Sequence, residues 1–256
     1  MSALSLRYVA LGDSSAVGVG SRSGGYVEHL FQRLRRTRPG VGLLNLGVSG
    51  ATSATVLSGQ LPKATRSRPH VVTLAVGIND LWRGVEPDQF ESNLDQLARG
   101  LVATGAPVVL ANLPDMSLAP IARLATHFLP VQLISERIAS FNEAVARVVA
   151  RHRLHGVDLH GPSLQELPGS TDYFCGDGFH PSDTGYQRMA EHFWPVLLQA
   201  AEARRQHHAG HRLTPRGPVR KVGDGPSFMP PRRGGSCRWR GSPPRARSGG
   251  AGARSR

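Results

Sequence analysis

The sequence is poor in cysteine, nearly free of acids over its last fifty-odd residues, and without any apolar run of membrane length. Its two cysteines, Cys175 and Cys237, cannot make a disulfide framework in a chain of 256 residues. No stretch approaches the ~20 consecutive apolar residues of a membrane-spanning helix. Met1–Arg7 lacks the basic start and long apolar core of a signal peptide, so a cytoplasmic location is expected. There is no phosphate-binding nucleotide loop and no convincing metal-ligand pattern, so neither cofactor nor metal is implied. No internal repeat is visible, and the sequence leaves the oligomeric state open.

The charge is present but unevenly spread. The chain carries a formal net charge of +13, and all of it lies between Arg204 and Arg256, where fourteen Lys and Arg face the single acid Asp224. Residues 1–203 hold seventeen charges of each sign and are neutral. The two parts therefore read differently. Residues 1–203 form one globular domain. Residues 204–256, rich in Gly, Pro, Arg and Ser, cannot bury enough apolar surface to offset their ordering entropy and read as a disordered tail. Such a tail binds polyanions non-specifically; no specific nucleic-acid partner is expected, even with Trp239 among arginines. His207, His208 and His211 read as a solvated cluster rather than a metal face.

Within the domain, hydrophobic period alternates between strand and helix. Strands are expected at Leu6–Leu11, Val41–Leu46, His70–Val76, Pro107–Leu113 and Gly156–Leu159. Helices are expected at Gly25–Arg36, Ser53–Leu61 (closed by Pro62), Pro87–Ala103, Ile134–His152 and Ser182–Ala203, the last broken or kinked at Pro195. Pro114–Pro130 is irregular but rich in Met116, Leu118, Ile121, Leu124 and Phe128, and suits either a pocket wall or an ordinary packed connection. Five alternations argue an α/β fold, a parallel doubly wound sheet with helices on both faces.

The strand ends carry the chemistry. The first strand stops at Gly12-Asp13-Ser14-Ser15, which offers a nucleophilic serine, or a strand-to-helix turn with a cap. Asp177 and His180 stand three residues apart, so a carboxylate can orient an imidazole; a helix cap beside a surface histidine is the plainer alternative. Gly50 and Asn79, in turns after the second and third strands, offer a backbone N–H and a side-chain amide to an oxyanion. Each is weak alone. Together they lie on loops at the carboxyl edge of one parallel sheet, where open α/β folds bind ligands. Asp158 and His160 form a rival acid–imidazole pair. Cys175, two residues before Asp177, reads as an inert small residue.

These blocks resemble the SGNH, or GDSL-like, hydrolase superfamily of esterases and lipases over essentially residues 6 to 200. The resemblance implies a flavodoxin-like three-layer α/β/α fold. It implies catalytic Ser14, Asp177 and His180, and an oxyanion hole from the N–H groups of Ser14 and Gly50 and the Asn79 amide. It implies a small-molecule or lipid-like carboxylic ester as substrate and no cofactor. Gly47 is an alternative to Gly50, and Ser15 replaces the usual leucine, leaving a second hydroxyl beside the first. The Gly-x-Ser-x-Gly elbow of another hydrolase fold is absent. A carbohydrate O-acetyl esterase uses the same machinery, and a non-catalytic binding module would keep the same fold.

Overall fold

Tyr8, Val9, Ala10 and Leu11 expose no surface. They belong to β1 (Arg7–Gly12), which lies inside a five-stranded sheet with β2 (Gly42–Asn45), β3 (Val71–Ala75), β4 (Val108–Ala111) and β5 (His155–Val157). The strand order is β2-β1-β3-β4-β5 and every pairing is parallel. This computed structural model describes residues 6–125, 130–170 and 172–212. The chain divides into two units, Met1–Thr214 and Pro215–Arg256, and the sheet lies in the first. The stretch read as a disordered tail lies, beyond Arg212, outside the described residues.

Helices cover both faces, as a parallel sheet requires. On one face α6 (Pro87–Val102) and α8 (Val131–His152) pack side by side. Phe90, Leu94, Leu97 and Leu101 meet Ile134, Ile138, Phe141, Val145 and Val148 in one core, with Phe90 and Phe141 stacked at 4.4 Å. On the other face α2 (Tyr26–Thr37) packs against α10 (Asp183–Arg212), with Tyr26 stacked on Phe193 at 4.6 Å. The apolar periods mark these helices correctly, and their ends depart from the sequence reading for local reasons.

Helix α10 continues to Arg212, through Pro195 and past the expected end at Ala203. The helical stretch that begins with α3 (Ser53–Thr55) does not close at Pro62: it passes through a π-helical segment, Val56–Gln60, into α4 (Leu61–Arg66), where Pro62 sits in the first turn. A first-turn proline needs no N–H partner, so it starts a helix as readily as it ends one. Strand β4 stops at Ala111 because Asn142 takes both backbone groups of Leu113, accepting from its N–H at 2.8 Å and donating to its carbonyl at 2.9 Å. Strand β5 stops at Val157, earlier than expected. Asn112 accepts from the N–H groups of Leu159 and His160, and Asp158 accepts from those of His160 and Gly161, turning the chain into α9 (His160–Glu166). The irregular 114–130 stretch resolves into a 3₁₀ turn at Met116–Leu118 and α7 (Pro120–Ala125). Phe128 lies outside the described residues.

Candidate active site

Strand β1 ends on Gly12 at φ +152°, where a Cβ would stand 2.4 Å from the Ala75 carbonyl oxygen of β3. Only glycine fits that approach. Gln60, buried at the end of the π-helical segment, grips the same residue twice: its Oε1 accepts from the Gly12 N–H at 2.9 Å and its Nε2 donates to the Gly12 carbonyl at 2.8 Å. Asp13 then caps the short helix α1 (Ser14–Val17), accepting from the Ser15 N–H at 2.9 Å and the Ser15 hydroxyl at 2.8 Å. The strand-to-helix turn thus has its cap in Asp13. The Ser15 hydroxyl is engaged by Asp13, while Ser14 Oγ has no partner among the described residues. Burial pushes the Asp13 carboxyl up from its ordinary range, opposed by its bonds from Ser15.

Strand β3 leads into α5 (Ile78–Trp82), whose first residues clamp the loop after β2. Asn79 Nδ2 donates to the Ala51 carbonyl at 3.0 Å. Asp80, fully buried, accepts from the Ser53 N–H at 2.8 Å and from the Ser53 hydroxyl, and Asn93 Nδ2 donates to that hydroxyl at 2.9 Å. Burial raises the Asp80 pKa, with the Ser53 bonds opposing. In the clamped loop the Gly47 N–H is taken by Asn45 Oδ1 at 3.0 Å and the Val48 N–H by the Gly12 carbonyl at 3.2 Å. Gly50, at φ +76°, keeps its N–H unpaired among the described residues. Of the two candidate glycines, Gly50 is thus the one with a donor to offer.

Asp177 and His180 meet as their spacing predicts, with His180 Nδ1 2.6 Å from Asp177 Oδ2. The other carboxylate oxygen accepts from the N–H groups of Phe179 and His180 at 2.8 and 2.9 Å and from Cys175 Sγ at 3.1 Å. Partial burial raises the Asp177 pKa, but the His180 bond and the two backbone donors outweigh it, leaving the carboxyl well below its ordinary range. The turn is possible because Gly178 takes φ +65° against Pro120 and Ile121, where a side chain would collide. Phe179 meets the His180 ring edge-on at 4.9 Å and is in turn edge-on to Trp82.

Ser14, Asn79 and His180 line one cleft of about 150 Å³ at the carboxyl edge of the sheet. Leu113, Pro114, Met116, Leu159, Phe174 and Phe179 give it an apolar interior. Asp177 stands behind His180, and Gly50 is not among the residues lining the cleft. The rival pair is not assembled: Asp158 is spent on Asn112 and on the start of α9. Cys175 is a free thiol. Among the described residues no cluster of three metal-ligating side chains occurs, and no helix is long and apolar enough to cross a membrane. The side chains of His207, His208 and His211 are outside the described set. Sequence reasoning missed Gln60, Asn112 and the lining residues Glu166, Arg188 and His192. None of them belongs to a motif, and each acquires its place from a contact across the fold.

Comparison with known proteins bears on the family and the fold. Residues 10–188 match the GDSL-like Lipase/Acylhydrolase family. The chain is 27% identical over 190 residues to Esterase TesA of Pseudomonas aeruginosa, an alignment covering 74% of this chain and 86% of the relative. A crystal structure of TesA superposes with a TM-score of 0.63 at 28% identity, over 76% of this chain and 99% of that one. A catalytic mutant of an acetylxylan esterase from Geobacillus stearothermophilus shares the fold, with a TM-score of 0.62 at 18% identity over 77% and 96% of the two chains. The chain belongs to the GDSL-like lipase/acylhydrolase family and is an ester-hydrolysing enzyme.

Proposed function

We propose that Ser14 is the nucleophile of a two-step ester hydrolysis, that His180 is its base and that Asp177 orients His180. His180 takes the proton of Ser14 Oγ as the oxygen attacks the ester carbonyl. The negative charge on the carbonyl oxygen is met by the N–H groups of Ser14 and Gly50 and by the Asn79 amide. Collapse breaks the ester bond, and the proton passes from His180 to the departing alcohol. Water, deprotonated by His180, then releases the acid and regenerates Ser14. The observation that carries this reading is that Ser14, Asn79 and His180 share one cleft while Asp177 holds His180 at 2.6 Å. That bond engages Nδ1 and leaves Nε2 as the catalytic nitrogen.

The apolar interior of the cleft favours small-molecule or lipid-like carboxylic esters over acetylated sugars, whose hydroxyls would find few partners there. The test pairs a series of nitrophenyl esters with acetylated xylose oligomers, and adds covalent labelling by a fluorophosphonate. The expected outcome is label on Ser14 and a rate lowered by ~10⁴ or more in Ser14→Ala and in His180→Ala. Asn79→Ala is expected to cost ~10² to 10³. Ester hydrolysis undiminished in Ser14→Ala would refute the assignment, and a preference for acetylated sugars would move the substrate class.

A further inference from the structure

The cleft does not end at the serine. Ser14 follows β1, whereas Leu159 and Glu166 follow β5, and β3 and β4 lie between. Three strand spacings separate those ends, about 14 Å. On that side the cleft is lined, from α9 with its caps and from α10, by the apolar Leu159, Leu167 and Met189 and by three charged or ionisable side chains: Glu166, Arg188 and His192.

These three are joined through Glu166. Arg188 donates to Glu166 at 2.7 Å through one terminal nitrogen and to Glu191 at 2.7 Å through the other. Glu166 also meets His192, with the closer oxygen at 3.3 Å. Glu191 reaches Arg33 of α2 at 3.8 Å, and Arg33 lies over the Trp194 ring. A cluster whose charges are already matched has no open charge to offer a ligand. It is also a poor neighbour for hydrocarbon, because burying a methylene against it would strip water from ions without replacing it.

We propose that the acyl chain of the substrate runs from Ser14 toward the gap between α9 and α10, and that the Glu166–Arg188–His192 cluster is the wall that stops it. The enzyme therefore takes acyl chains of limited length, set by where α9 is tied to α10. This rests on the ester-hydrolase reading above, in which Ser14 receives the acyl group.

The experiment measures kcat/KM of the full chain and of two variants on nitrophenyl esters from acetate to palmitate. In the double variant Glu166→Ala/Arg188→Ala, which removes both members of the ion pair between α9 and α10 and leaves Glu191 its contact with Arg33, the optimum moves to longer chains. Each newly buried methylene is worth about fourfold, so an ester two carbons beyond the wild-type optimum gains about sixteenfold relative to that optimum. In Leu167→Trp, which fills the passage ahead of the wall, the optimum moves to shorter chains. An optimum unmoved in both variants, with folding verified by circular dichroism, would overturn this proposal alone. A wild-type chain that hydrolyses none of the esters and takes no fluorophosphonate label would overturn the underlying reading and this one with it.

Discussion

Gln60 shows how much of the serine turn depends on one amide. Its two bonds stand in for a strand neighbour at Gly12, where a close approach to Ala75 leaves no room for a side chain. Gln60→Met keeps the volume and removes both partners. The Gly12 N–H is then buried unsatisfied, which costs about 1–3 kcal/mol. Urea denaturation should report that loss. Because the turn that carries Ser14 loosens, kcat should fall while KM changes little. An equal fall in stability with kcat intact would make Gln60 purely structural. A second prediction concerns Asp177. Its pKa is lowered in the folded protein, so its ionised form contributes stability above the ordinary carboxylate value of 3.8 that is lost only as pH falls well below it. Carbon NMR of the Asp177 carboxyl should show no titration between pH 7 and pH 4, and a midpoint inside that window would contradict the pairing. The two residues differ in legibility. Asp177 and His180 are three apart, so their meeting is written in local spacing. Gln60 and Gly12 are 48 apart, and nothing in a helical stretch marks one glutamine as facing inward.

At the scale of elements, helices α6 and α8 are joined by a core and by an ion-pair network above it. Asp95 accepts from His152 at 2.8 Å and from Arg151 at 2.9 Å, and these bonds, His152 first, pull its pKa down to about 2. A depressed carboxyl stabilises the fold above its unfolded value of 3.8, and the contribution disappears as pH falls toward 2. Asp95→Asn should therefore be less stable than the parent at pH 7 and nearly equal to it at pH 2, in denaturant titrations at each pH. The arginine partners of Asp95 are largely exposed, so the difference is small. Phe141→Ala, in the core beneath, should cost about 3–5 kcal/mol at any pH. The contrast separates what holds these helices from what merely decorates their seam. The apolar faces of α6 and α8 were visible in the sequence because burial repeats with the helical period. The π-helical passage through Val56–Gln60 was not visible, because Pro62 reads equally as a stop and as a first turn. The early ends of β4 and β5 were likewise hidden, since Asn142, Asn112 and Asp158 intercept ladder groups from outside the strands.

For the whole molecule, the neutral body and the basic stretch after it make separable predictions. A chain cut after Thr214 loses eleven Lys and Arg together with Asp224 and keeps all of α10. Its ester hydrolysis should match the full chain, while binding to heparin or DNA at low salt should be lost. Equal heparin binding by the two forms would return the polyanion contact to the body. Cutting at Arg204 instead, where composition changes, would shorten α10. The strand order carries a further consequence, for assembly in time. The strand made first, β1, sits inside the sheet, and its neighbour β3 is paired from Val71 onward. The turn after it is also tied from the far end of the domain, because Tyr186 of α10 donates its hydroxyl to the Val19 carbonyl at 2.8 Å. A ribosome that has delivered Ser14 must therefore deliver some 170 more residues before that turn gains its last support. These are high-separation contacts, whose loop-closure entropy is met before they stabilise anything. The serine is synthesised long before the tyrosine that ties its turn, so a nascent chain stalled before Tyr186 should carry Ser14 and hydrolyse nothing.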